Sequence, residues 1–234
     1  MKTLYLIEKL REKTIITKAD IERLARASSK YSKLILNRLK KQNLIYKVSE
    51  NRYTTKTNPF VIATNIINPC YLSWWSASYY YGFTEQIPNI VYVATTSRKK
   101  QTTFKGYQIK FIPTKNFFGY KKEKTNEGDI FIAEKEKLII DVLLKPNYIG
   151  NFSEITEIIK NADISKDKLI SYLKKINNQS LTKRIGFLLE KLKLIDIKNS
   201  FRLDNNYIFL NQFPKKGKEI NTKWRIKYDT KDLS

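Results

Sequence analysis

Histidine is absent from this chain, and cysteine occurs once, as Cys70. The first absence removes the commonest general base and every Ser-His or Cys-His nucleophile pair. The second excludes an internal disulfide framework and any multi-thiolate zinc site, so metal chemistry would have to rest on carboxylates. Glycine is scarce, seven residues in 234, and there is no glycine-rich phosphate loop. No apolar h-region opens the sequence and no uninterrupted apolar stretch is long enough to span a bilayer, which points to a cytoplasmic protein. Internal repeats and low-complexity linkers are missing too.

Acidic residues are the other shortage. Twenty-two Asp and Glu stand against forty-five Lys and Arg, a formal charge of +23, well beyond what solubility asks of a chain this size. The implied partner is a polyanion, and nucleic acid leads because neutralising phosphates releases condensed counterions. An anionic membrane surface would need a strongly amphipathic basic helix or a lipid anchor, and no segment supplies one. The plain alternative is a lysine-rich surface set by composition, since Ile, Lys and Asn are used heavily throughout. Apolar residues, by contrast, are plentiful: 41% hydrophobic and 13% aromatic, enough for a core and against disorder.

The apolar periodicity predicts an α+β protein in two parts. Residues 1–57 read as a winged helix-turn-helix. Leu4, Leu6, Ile7 and Leu10 place a helix over Lys2 to Glu12. Thr17 precedes Asp20 by three, a capping-box arrangement that opens a second helix from Lys18 to Arg26. After the Ala27-Ser28-Ser29 turn, Tyr31, Ile35, Leu36 and Leu39 carry a third helix to about Gln42, with Asn43 as its C-cap. Leu44–Val48 and Tyr53–Thr55 then form a hairpin. Asn58-Pro59 marks the boundary to a larger mixed α/β domain over 58–234. In it a helix over Ser73–Tyr81 is followed by strands at Ile90–Thr95, Gly106–Ile112 and Ile130–Ala133. Helices at Glu134–Leu144, Glu154–Asn161, Lys166–Ile176 and Leu181–Leu192 come next, and a short β segment at Tyr207–Leu210 and Lys223–Tyr228 ends the domain.

The sharpest functional signal is an interval without acids. Between Glu22 and Glu50 there is no Asp or Glu, yet Arg23, Arg26, Lys30, Lys33, Arg38, Lys40, Lys41 and Lys47 fall there, over the turn, the third helix and the first wing strand. In a helix-turn-helix the third helix lies in the major groove with phosphate contacts on its flanks, so positive charge there is what the geometry requires. With Ile35, Leu36 and Leu39 facing inward, Ser29, Lys30, Lys33, Leu34 and Asn37 point outward as base readers, Asn37 suited to adenine and the lysines to guanine. Ser28 and Ser32 suit phosphate. Arg26, Arg38, Lys40 and Lys41 are the backbone clamps, and Lys47 and Arg52 put charge on the wing. A solvated helix face is the bland alternative for such a charge run.

Other clusters carry less. Tyr71, Trp74, Trp75, Tyr79, Tyr80, Tyr81 and Phe83 could stack bases, but their helical spacing favours a packed core. Arg98-Lys99-Lys100 reads equally well as a phosphate track or a solvated loop. Asp129, Glu134 and Glu136 invite comparison with Mg²⁺-dependent nucleases, but Glu134 is followed two residues on by Glu136 and not by the lysine such sites use. No catalytic, metal or cofactor residue is therefore assigned.

The order of several segments resembles the AbiEi family of antitoxins from type IV toxin-antitoxin, or abortive-infection, systems. These are the N-terminal winged helix ending in Leu44-Ile45-Tyr46, the stretch Tyr71 to Ser78 closed by Gly82-Phe83, and Ile90 to Thr95 followed by Arg98. Ile130 to Asp141 leading to Pro146 and a helix carrying Lys183 to Glu190 complete the set. The likeness spans about residues 1–195; the part after Leu194 fits least well, and middle-domain histidines and glycines common in relatives are missing. The resemblance implies a non-enzymatic antitoxin that represses its own operon through inverted repeats in double-stranded DNA, with weak self-association on that DNA. It also implies a genetically paired nucleotidyltransferase-like toxin, countered without a stable complex. The alternatives are a DNA-processing, nuclease-like enzyme targeted by the winged helix and a ligand-responsive regulator without a toxin.

Overall fold

The computed structural model describes residues 3–211 and 217–233. The architecture is α+β, and the chain divides into two compact units. One holds the chain up to Leu72 together with Asn89–Lys115 and Lys122–Ile132; the other holds Ser73–Pro88, Asn116–Lys121 and the chain from Ala133 onward.

The first unit opens with α1 (Thr3–Arg11), β1 (Ile16–Thr17), α2 (Lys18–Ala25), α3 (Ser29–Lys41), β2 (Tyr46–Ser49) and β3 (Arg52–Thr54). The expected helix start at Lys2 lies outside the described residues. The capping box at α2 is present: the Thr17 hydroxyl accepts from the Asp20 amide at 3.3 Å, and the Asp20 carboxylate accepts from the Thr17 amide at 2.8 Å. Burial would raise the Asp20 pKa, but hydrogen bonds from Lys13 and Thr17 outweigh it and hold the carboxyl below its ordinary value. Ser28 caps α3 by accepting from the Tyr31 amide, and Asn43 takes the left-handed conformation just past its end. Leu6, Leu10, Ile16, Ile21, Leu36, Leu39 and Ile45 close over one another as the core of these elements. At about 1.5–3 kcal/mol per buried aliphatic side chain, that cluster dominates their stability. The short β1 pairs antiparallel with β3 to give the order β1-β3-β2.

Asn58-Pro59 begins a helix, not a linker. In α4 (Pro59–Asn65) the Asn58 side chain accepts from the Phe60 amide at 2.9 Å, and proline sits where its missing N–H costs nothing. The strands β4 (Cys70–Leu72), β5 (Ile90–Thr95), β6 (Thr102–Phe104), β7 (Tyr107–Pro113), β8 (Tyr120–Thr125) and β9 (Gly128–Ala133) form a six-stranded mixed sheet ordered β6-β7-β5-β4-β9-β8. Neither edge strand was anticipated: β6 has three residues, and β8 reads Tyr-Lys-Lys-Glu-Lys-Thr, without an apolar alternation. The expected domain boundary after Thr57 does not coincide with the observed division. The Glu127 carboxylate, in the turn between β8 and β9, accepts from the Thr57 hydroxyl at 2.6 Å and from the Asn58 amide at 2.9 Å, which ties residues 57–58 to the sheet. Cys70 is buried against the Thr64 and Ile67 carbonyls, and burial pushes its thiol up to about 12.

In the second unit, α5 (Trp74–Tyr80), α6 (Lys135–Leu144), α7 (Phe152–Asn161), α8 (Lys166–Ile176) and α9 (Gln179–Lys191) precede a small sheet. Its strands β10 (Ile208–Phe209), β11 (Glu219–Asn221) and β12 (Ile226–Tyr228) are ordered β10-β12-β11. Helix α6 is buried from Glu136 to Leu143. Gly186 lets α9 meet the Trp224 ring; a Cβ there would stand 2.1 Å from it. Among the described residues, no helix is long and apolar enough to cross a membrane.

Candidate nucleic-acid interface

Helix α2 ends at Arg26, whose left-handed backbone (φ 47°) turns the chain through Ala27 and Ser28 into α3. At about 100° per residue, α3 sorts its side chains into two faces. Ser32, Leu36 and Leu39 are buried and Ile35 is half-buried, while Ser29, Lys30, Lys33, Leu34, Asn37, Lys40 and Lys41 are exposed. Lys30, Leu34, Asn37 and Lys41 follow one another at steps of four, three and four, forming a stripe opposite the buried face. Lys33 and Lys40 lie on one side of that stripe and Arg38 on the other. Arg26 in the turn and Lys47 on β2 are exposed as well.

Some cations elsewhere in the chain are neutralised internally. Lys13, Lys122, Lys168, Lys183 and Lys223 each sit within 3 Å of an aspartate or glutamate oxygen. Arg26, Lys30, Lys33, Arg38, Lys40, Lys41 and Lys47 have no carboxylate partner among the described residues. Seven cations are thus presented to solvent without internal neutralisation, an arrangement suited to a row of phosphates.

Two expected contacts are corrected. Ser32 is fully buried, and its hydroxyl has no hydrogen-bond partner, so it cannot reach a phosphate. Arg52 lies half-buried on the central strand of the small sheet, and its guanidinium donates to the Ile66 carbonyl, so it is engaged within the fold and not held free for the wing surface. Ser28 and Ser29 remain exposed, but each has a local bond: Ser28 to the Tyr31 amide as the cap, and Ser29 to the Lys18 ammonium. Lys18, at the start of α2 and outside the acid-free interval, therefore borders the α3 N-terminus. Glu22 lies one turn along the same helix, and its ion pair with Lys18 measures 3.4 Å.

The aromatic segment is core, as its spacing suggested. Tyr71, Trp74 and Phe83 are buried and Trp75, Tyr79, Tyr80 and Tyr81 are half-buried. The carboxylates weighed for metal chemistry are already engaged. Asp129 pairs with Lys122 at 2.5 Å, and Glu136 accepts from the Ser165 amide at 2.8 Å. Glu134 lies 2.8 Å from the Lys168 ammonium and accepts from the Tyr172 hydroxyl. Burial would raise the pKa of Glu134, but the bonds from Lys168 and Tyr172 prevail and hold it low. Among the described residues, no three His, Cys, Asp or Glu side chains are grouped to hold a metal ion.

No protein-family model matches the chain, and no curated protein matches it either. Among solved structures it is similar to the crystal structure of the RV2827C protein from Mycobacterium tuberculosis. The TM-score is 0.68 at 11% sequence identity, with 97% of this chain and 92% of that one covered. At that identity the likeness concerns the fold alone.

Proposed function

We propose that this protein is a sequence-specific double-stranded DNA-binding repressor whose residues 1–57 act as a winged helix-turn-helix. The single observation that carries the reading is the exposed face of α3 and its flanks, seven cations without a carboxylate partner among the described residues. The element order supports it: α1, β1, α2, a short turn, α3 and the β2–β3 hairpin follow the sequence of a winged helix, in which the third helix enters the major groove. Asn37, Lys30 and Lys33 read base edges, while Arg26, Arg38, Lys40, Lys41 and Lys47 hold phosphates. On the resemblance drawn from the sequence, the repressor is the antitoxin of a type IV toxin-antitoxin pair. It shuts down its own operon through inverted repeats and counters a nucleotidyltransferase-like toxin without a stable complex.

The test is a gel-shift and footprint on the DNA upstream of the protein's own coding sequence, over a range of salt. A discrete footprint is expected, with these five phosphate-holding cations contributing about −4 to −5 to the slope of log K against log salt if each neutralises one phosphate. An absence of any shift at low ionic strength overturns the proposal. Cleavage of plasmid in Mg²⁺ would replace it with the DNA-processing enzyme.

A further inference from the structure

A second acid-free interval lies far along the chain from the first. Between Glu85 and Glu123 there is no Asp or Glu, and within it the segment Asn89–Lys115 of the first compact unit carries Arg98, Lys99, Lys100, Lys105, Lys110 and Lys115. The fold brings this interval against the wing. β6 is an edge strand of the six-stranded sheet, bonded to β7, and it also packs against β2. The Thr102 hydroxyl donates to the Val48 carbonyl at 3.3 Å. The Lys105 ammonium stands 4.0 Å from the centroid of the Tyr46 ring.

These two contacts set a direction. From Thr102 at the start of β6 to Lys105 in the turn that follows it, the side-chain contacts on β2 go back from Val48 to Tyr46, so the chain here advances opposite to the β2 numbering. The residues just before Thr102 are therefore carried past Val48 toward the wing turn at Glu50-Asn51. Those residues are Arg98, Lys99, Lys100 and Gln101, all exposed. The base of the loop is held: the Thr95 hydroxyl donates to the Ser97 carbonyl at 2.7 Å, and the Thr114 amide donates to the Thr95 carbonyl at 2.8 Å. Arg98, Lys99 and Lys100 have no carboxylate partner among the described residues, and Glu50 at the wing turn is a single acid against three cations.

We infer that the Arg98-Lys99-Lys100 loop, with Lys105, is a second phosphate-binding element, and that it extends the DNA interface from α3 and the wing onto the edge of the six-stranded sheet. The inference rests on the DNA-binding reading above. The ligand is the sugar-phosphate backbone of duplex DNA flanking the segment read by α3, and these residues add length and affinity without adding sequence preference.

The experiment compares wild-type protein with the triple variant Arg98→Ala, Lys99→Ala, Lys100→Ala, and with the charge-preserving triple Arg98→Lys, Lys99→Arg, Lys100→Arg. Binding is measured by anisotropy on duplexes centred on the footprint and lengthened in steps. The alanine triple is expected to flatten the log K against log salt slope by about two to three. It should weaken matched and scrambled duplexes by the same factor and no longer gain affinity from the longest duplexes. The charge-preserving triple should behave as wild type. If wild-type protein binds and the alanine triple keeps its slope and length dependence, the inference is wrong while the DNA-binding reading stands. If wild-type protein does not bind at all, the reading itself falls. Equal circular-dichroism melting of the three proteins excludes loss of fold as the cause.

Discussion

At the scale of single residues, Ser32 separates residue type from position. It precedes Leu36 by four and Leu39 by seven, the spacing of one helix face, and that face is buried. A serine hydroxyl suggests a phosphate contact, yet the periodicity already pointed it inward. Its unpartnered oxygen is a small cost to the fold. Ser32→Ala is therefore expected to leave DNA affinity unchanged and to raise stability by up to ~1 kcal/mol, read by urea unfolding; a loss of affinity in a protein of unchanged stability would restore the phosphate role. Lys137 and Asp141 on α6 were not singled out, because Glu134 to Asp141 looks like an alternation of charged and apolar faces. Both are buried, paired one turn apart, and the Asp141 carboxylate also accepts from the Ser73 hydroxyl at 2.8 Å. Burial pushes the Lys137 pKa down, and Asp141 opposes the shift. Lys137→Met leaves a buried carboxylate without its cation and should cost about 3–5 kcal/mol, whereas Lys137→Met with Asp141→Leu should recover most of it. Chemical denaturation of the two variants decides, and a single variant as stable as wild type would show that the pair matters little.

At the scale of elements, α3 is where periodicity and charge agree, and its faces can be tested apart. Lys33→Ala with Asn37→Ala removes outward groups assigned to base edges; selectivity for the matched over a scrambled duplex should fall by about 1–3 kcal/mol for each lost contact. Lys40→Ala with Lys41→Ala should weaken both duplexes alike and flatten the salt slope by about two. Competition titrations measure both, and the same outcome for the two pairs would show that α3 has no separate reading and clamping faces. Long amphipathic helices were legible because three or four apolar residues recur on one face: α8 was placed at Lys166–Ile176, and α2 and α3 ended within one residue of expectation. Short or polar elements were not. β1, β6 and β11 have two or three residues, too few to show a period, and β8 is polar along its length. α4 was obscured by Pro59, which stops a helix when met inside one but starts it well at the first position.

For the whole molecule, a formal charge of +23 is a statement about partners and about self-repulsion, and its value depends on where the cations lie. Several are neutralised internally by carboxylates that meet them only in the fold, Lys183 with Asp204 and Lys223 with Glu190 among them. The cations of α3 are not: no acid occurs in that stretch of chain, and no distant carboxylate among the described residues reaches them. Composition and spacing alone determined that the protein is α+β, that its aromatic segment packs as core, and that helix caps and a cationic third helix stand near the N-terminus. These follow from neighbours within a few residues, where helical periodicity and local charge act directly. Only the tertiary structure decided that Arg52 bonds to the Ile66 carbonyl, that Glu127 binds the chain at residues 57–58 to the sheet, and that β6 packs against β2. Each of these depends on a contact between residues tens of positions apart, made by backbone and side-chain groups whose meeting no local pattern encodes.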